Sequence, residues 1–180
     1  DLDNDMLMQP GSTVPVPRIS LPLVSVMVAQ GKPKGRGSIH YDSTDPTAQP
    51  EIRPRLLEHP DDREVVVDAL ERAFELTQTP ELQELARIVW PPVWEIRDRE
   101  RLEQRVMSVC DSGYHPCGTV PMGGEEDPMA ACDAKGRVRK TENLRVADAS
   151  LFPTIPSANI HLSVLMLAER IGEWLADGSF

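Results

Sequence analysis

The chain has 180 residues, 40% hydrophobic and 27% charged, with a formal net charge of −10. That length and balance fit one ordinary globular domain with a sizeable core. The negative charge excludes a phosphate polyanion as a natural partner, so no nucleic acid is expected. No apolar run reaches eighteen residues, which excludes a membrane-spanning helix.

The chain opens Asp1-Leu2-Asp3-Asn4-Asp5, without an initiator Met and without the basic-then-apolar order of a signal peptide. A start inside a longer protein is expected. Residues 1–18 are rich in proline and polar side chains and predict an irregular segment. Ile19 to Gln30 is apolar and β-branched and predicts a strand, interrupted at Pro22. Gly31 to Gly37 reads as a turn, Ser38 to Tyr41 as a short strand, and Asp42 to Pro54 as a loop.

A helix is expected from Asp61 or Asp62, which can cap it. Val66, Ala69, Leu70, Ala73 and Leu76 recur at helical spacing. Pro80 to Val89 predicts a second short helix, with Pro80 near its first position. The prolines in Trp90-Pro91-Pro92-Val93-Trp94 predict a break, and the tryptophans read as packing rather than a substrate pocket. Asp98 to Cys110 predicts a third helix.

Beyond Ser112, Gly and Pro punctuate a loop to Met129. Arg137 to Arg139 and Asn143 to Ala147 predict two short strands about a Lys140-Thr141-Glu142 turn. Leu162 to Ala176 predicts a final helix, capped by Ser157 or Asn159 and ended by Gly178. Its first turns are apolar all round, which predicts deep burial of its N-terminal half.

Cys110, Cys117 and Cys132 are an odd set without a C-x-x-C pair. Thiols in a reducing compartment such as the cytoplasm are favoured over a disulfide framework or a zinc site, so no metal is expected. The chain has no G-x-G-x-x-G, no G-x-S-x-G, no H-E-x-x-H and no Walker motif. Any dinucleotide phosphate loop lies elsewhere. His115 precedes Pro116, which biases it to an extended backbone. Glycines at 113, 118 and 123 permit a close approach to the backbone. Asn159 stands at the start of the last helix, where unpaired N–H groups favour an anion. A histidine base, an amide partner and an anion site are one reading of these residues. A structural histidine in a Gly/Pro loop is the other.

Three blocks bear on that choice. Tyr114-His115-Pro116-Cys117-Gly118-Thr119-Val120-Pro121-Met122-Gly123 resembles the glucose–methanol–choline (GMC) oxidoreductase signature H-P-x-G-T-x-x-M-G. Glu142 to Ser150 resembles the family's N-L-R-V-x-D-A-S, and Phe152 to His161 its P-T-x-x-S-x-N-x-N. Lys34 to Ile39 is similar to its S-R-G-x-V. The resemblance implies an α+β fold, with a substrate-binding domain over 19–113 built on an antiparallel sheet with flanking helices. Residues 114–180 would then form a C-terminal segment that completes an FAD-binding domain.

It further implies an FAD-dependent oxidase or dehydrogenase that oxidises a primary or secondary alcohol by proton abstraction and hydride transfer to flavin. His115 and Asn159 would be catalytic. Asp148, Ala149, Asn159, Ile160 and His161 would bind the cofactor. His161 stands where many members carry a second Asn, and flavin-lining and core roles both stay open for it. Val120-Pro121 replaces the commoner Cys-Arg. The partners implied are a small-molecule alcohol and an N-terminal FAD-binding polypeptide, whether separate or the missing part of the same chain. These 180 residues alone are expected to be colourless. The competing readings are a flavin-containing hydroxynitrile lyase of the same fold and a non-catalytic fragment or subunit.

Overall fold

The computed structural model describes residues 6–11 and 23–179. The chain divides into two compact units, Asp1–Asp111 and Ser112–Phe180. Both mix helices with short antiparallel pairings, so the fold is α+β.

In the first unit, strand β1 (Met6–Gly11) pairs antiparallel with β2 (Ser25–Gln30), Met6 opposite Gln30 and Gly11 opposite Ser25. The irregular reading of residues 1–18 therefore fails at 6–11. The physical reason is long-range pairing: Met6-Leu7-Met8 finds a partner strand, and Pro10 is tolerated in a ribbon that is all edge. Residues 12–18, and the part of the expected strand at 19–22, lie outside the described residues. Strand β3 (Ser38–His40) pairs antiparallel with β4 (Glu51–Arg53). β4 lies within the segment expected to be loop, again because pairing outweighs its local polar character. The described strands thus form two separate two-stranded sheets rather than one antiparallel sheet.

Helix α1 (Pro60–Thr77) begins one residue before the expected caps. His59 is the cap: its Nδ1 accepts from the Asp61 amide at 3.2 Å, while Pro60 takes a position that needs no amide donor. Asp62, 2% exposed, does other work. It accepts from Gln30 Nε2 at 2.9 Å and from the amides of Lys34 and Gly35 at 2.9 and 2.7 Å, tying the turn after β2 to the start of α1.

Helix α2 (Pro80–Leu85) stops short of Val89, since none of its residues is buried and nothing holds a longer run. Helix α3 (Val93–Ile96) occupies part of the expected break, because Pro92 sits at the cap and obstructs no helical hydrogen bond. Helix α4 (Arg99–Val109) is capped by Asp98, whose carboxylate accepts from the Arg101 amide. Leu57, Val67, Ile96, Leu102 and Val106 form the core of this unit, with Phe74 and Ile88 packed on it.

The second unit is built around Cys132, Leu151 and Ile171, with Val120, Met122, Val146, Leu167 and Trp174 against them. The expected strand pair around residue 140 reduces to an antiparallel bridge between Arg137 and Arg145, flanked by amide bonds from Val138 to Leu144 and from Val146 to Gly136. Helix α5 (His161–Asp177) closes the unit and ends at Gly178 in the left-handed conformation, φ +72°. Only Ile171 of α5 is buried. The expected deep burial of its first half is not observed: Leu162 is 78% and Met166 71% exposed. No residue of this unit covers that stripe, and apolar periodicity alone does not say what does.

Candidate active site

All the sequence-predicted site residues belong to the second unit. His115 is exposed on the loop that follows Tyr114. Tyr114 is left-handed, φ +59°, and its amide donates to Ser112 Oγ at 3.0 Å. After His115 the chain is pinned. The amide of Gly118 donates to the carbonyl of Ala149 at 3.0 Å, that of Val120 to Ser150 at 2.9 Å, and that of Met122 to Leu151 at 2.9 Å. The signature loop therefore runs along a single 3-10 turn, Ala149–Leu151.

Asp148 caps that turn. Its carboxylate accepts from the Ser150 amide at 2.8 Å and closely from the Ser150 hydroxyl. The Ala149 carbonyl is thus already engaged within the fold. Leu151 and Phe152 are buried, and they anchor the segment that runs through Pro153 and Pro156 to Asn159. Asn159 is exposed and Ile160 half-buried. His161 is the first residue of α5 and is also exposed.

The capping expectation for α5 needs correcting. The cap is Ile160, with helical φ and ψ, and no side chain accepts from the first turn. Neither Ser157 nor Asn159 does so, because the helical backbone at Ile160 moves the helix start past both. The first-turn amides therefore lack a side-chain acceptor, and they carry the partial positive charge of a helix N-terminus.

Of the glycines at 113, 118 and 123, the two within the signature are needed sterically. Gly118 is left-handed, φ +73°, and a Cβ there would stand 3.1 Å from the Phe152 carbonyl oxygen. A Cβ at Gly123 would meet Ala130 and Asp127 at 2.8 Å. Gly113 has nothing within 4 Å, so close approach does not explain it.

Residues the sequence did not single out hold the surrounding frame. The Arg139 guanidinium donates to the carbonyls of Asp127 at 3.3 Å and Gly123 at 3.2 Å, and closely to that of Gly124. An arginine in a presumed strand gives no sequence signal for such a clamp. Burial of the Asp133 carboxylate works upward on its pKa. The amides of Arg137 and Lys135 and the Arg137 guanidinium outweigh that and hold it below the usual carboxylate range. Burial pushes the Cys132 thiol up.

The loop carrying His115 and the segment leading to Asn159 are thus joined through the 149–151 turn. No hydrogen bond links the side chains of His115 and Asn159 among the described residues. No group of three or more His, Cys, Asp or Glu that could hold a metal occurs among them either. No helix is long and apolar enough to cross a membrane among them.

A family model described as GMC oxidoreductase matches residues 33–168. The chain is 34% identical over 156 residues to the oxygen-dependent choline dehydrogenase of Sinorhizobium medicae, covering 82% of this chain and 27% of that protein. It is 36% identical over 146 residues to the enzyme of the same name from Chromohalobacter salexigens, covering 81% and 26%. The chain spans about a quarter of the length of the curated relatives it matches. Among solved structures, it is similar to pyridoxine 4-oxidase from Mesorbium loti, with a TM-score of 0.79 and 26% identity over 94% of this chain and 34% of that one. It is also similar to a fungal aryl-alcohol oxidase, with a TM-score of 0.68 and 26% identity over 83% and 25%. None of these is named a hydroxynitrile lyase, and the lyase reading has no support among them.

Proposed function

Because the chain belongs to the GMC oxidoreductase family, we propose that it is the C-terminal part of an FAD-dependent enzyme that oxidises a primary or secondary alcohol. The observation that carries this reading is the joining of the motif blocks. The loop bearing His115 lies along the turn that leads to Asn159 through three amide bonds.

FAD, the cofactor of this family, supplies the hydride acceptor when bound. The second unit fits the ring end of that cofactor: α5 offers an uncapped N-terminus beside an exposed apolar stripe. Asp148, Ala149, Asn159, Ile160 and His161 are the residues that would hold it. The phosphates need a Gly-rich loop, which this sequence lacks, so they belong to an N-terminal FAD-binding part. The first unit is read as the substrate-binding domain.

His115 takes the hydroxyl proton of the alcohol. An imidazole is the side chain suited to that at neutral pH. Asn159 donates its carboxamide N–H to the alcohol oxygen and fixes its orientation. Partial positive charge at the start of α5 favours negative charge placed against it.

The test is anaerobic mixing of the flavin-loaded protein with choline, pyridoxine and an aryl alcohol, following the flavin absorbance. Bleaching by an alcohol is the expected outcome. Intact colour with every alcohol, alongside cleavage of a cyanohydrin, would return the lyase reading.

A further inference from the structure

The backbone before His115 takes a conformation that its residue type disfavours. A left-handed φ suits glycine, is tolerated by Asn and Asp, and is rare for bulky side chains. In Ser112-Gly113-Tyr114-His115-Pro116 a glycine is available, yet the left-handed φ falls on Tyr114, at +59°, and not on Gly113. Tyr114 is 86% exposed in this chain, so burial within the second unit does not offset the conformation. Its amide is held by Ser112 Oγ at 3.0 Å.

On the other side, Pro116 biases His115 to extended backbone. Gly118, the next left-handed residue, is anchored to Ala149. His115 therefore sits in a stretch bounded by two left-handed residues and stiffened by a proline. Each device restricts the direction in which its Cα–Cβ bond leaves the chain.

We propose that Tyr114 is a positioning residue for His115, acting through its left-handed backbone and not through its ring. The proposal rests on the reading of His115 as the proton acceptor. Tyr114→Val places a β-branched side chain where a left-handed φ is a genuine outlier, whereas Tyr114→Asn and Tyr114→Gly keep the conformation and discard the ring.

The experiment measures steady-state and anaerobic flavin-reduction kinetics on the flavin-loaded enzyme carrying each variant. Tyr114→Val is expected to lower kcat by about 100-fold with little change in KM, the scale of a small misplacement of a reacting group. Tyr114→Asn and Tyr114→Gly are expected to stay near wild type. In a His115→Ala background, Tyr114→Val is expected to cause no further loss, because two residues acting as one unit are not additive. If the valine variant does not load flavin, Tyr114→Ala against Tyr114→Asn reads the same contrast.

A fully active Tyr114→Val beside an inactive His115→Ala overturns the positioning role alone. So does a loss in the asparagine and glycine variants that equals the loss in valine, which would assign the effect to the ring. A fully active His115→Ala overturns the reading of His115, and the positioning role with it.

Discussion

The Gly118 amide meets the Ala149 carbonyl at 3.0 Å, and this bond stands between the loop that carries His115 and the turn that precedes Asn159. It exists only because residue 118 can hold φ +73° with 3.1 Å between a would-be Cβ and the Phe152 oxygen. Gly118→Ala is therefore expected to destabilise the protein by more than about 1 kcal/mol, the cost of alanine at an incompatible φ. Thermal denaturation of the variant checks it, and a melting temperature equal to wild type would show that the loop has another way to sit.

His115→Ala is expected to lower the rate of flavin reduction by about two to four decades, the usual contribution of a positioned general base. Asn159→Ala is expected to weaken substrate positioning and slow flavin reduction. Stopped-flow reduction under anaerobic conditions separates the two. Wild-type reduction kinetics in either variant would remove that residue from the proposed chemistry.

Asp62→Ala removes the acceptor of the part-buried amides of Lys34 and Gly35. The cost is expected toward the low end of the range for a stranded buried donor, about 1–3 kcal/mol. Urea unfolding is expected to show a lowered midpoint, accompanied by faster proteolysis of the 30–37 turn. An unchanged midpoint would mean that water replaces the carboxylate.

Cys132 is fully buried, and burial raises its thiol pKa; partial desolvation of the Cys110 sulfur and the neighbouring Asp111 carboxylate raise that of Cys110, whose residue surface is exposed. A raised pKa means little thiolate at neutral pH, and the thiolate is the reactive form. Cys132 is expected to resist alkylation at pH 7.5 until the protein unfolds, while Cys110 reacts slowly and faster as pH rises. Mass mapping of native and denatured samples reads both, and early labelling of Cys132 would contradict its burial.

Glu95 receives two hydrogen bonds from the Arg105 guanidinium, at 2.8 and 2.9 Å, which hold its carboxyl below the usual glutamate range. A depressed folded pKa stabilises the fold above the unfolded value, near ~4.3, and that contribution fades as pH falls through the folded pKa. Melting temperatures below pH ~4.3 are expected to drop more steeply for wild type than for Glu95→Gln. Parallel profiles would mean that the pair adds nothing to stability.

Local signals in the sequence were enough for α1, α4 and α5, whose apolar spacing and flanking residues mark them within a residue or two. They were not enough for β1 and β4, which exist through pairing with distant segments, or for α3, hidden behind Pro92. The signature blocks could be read as a set because their order is itself information. The bonds that join them, from Gly118, Val120 and Met122 to the 149–151 turn, could not, since a backbone amide advertises no partner. The left-handed Tyr114 ran against its residue type, and the Arg139 clamp looks in sequence like any strand arginine.

Along α5, packing is uneven: Ile171 is sealed, while Leu162 and Met166 meet solvent. Local opening is easiest where few side chains bind a turn in place. Deuterium uptake measured on these 180 residues alone should thus climb from the middle of that helix toward its first turn. Adding the proposed N-terminal FAD-binding part should flatten the gradient from the same end.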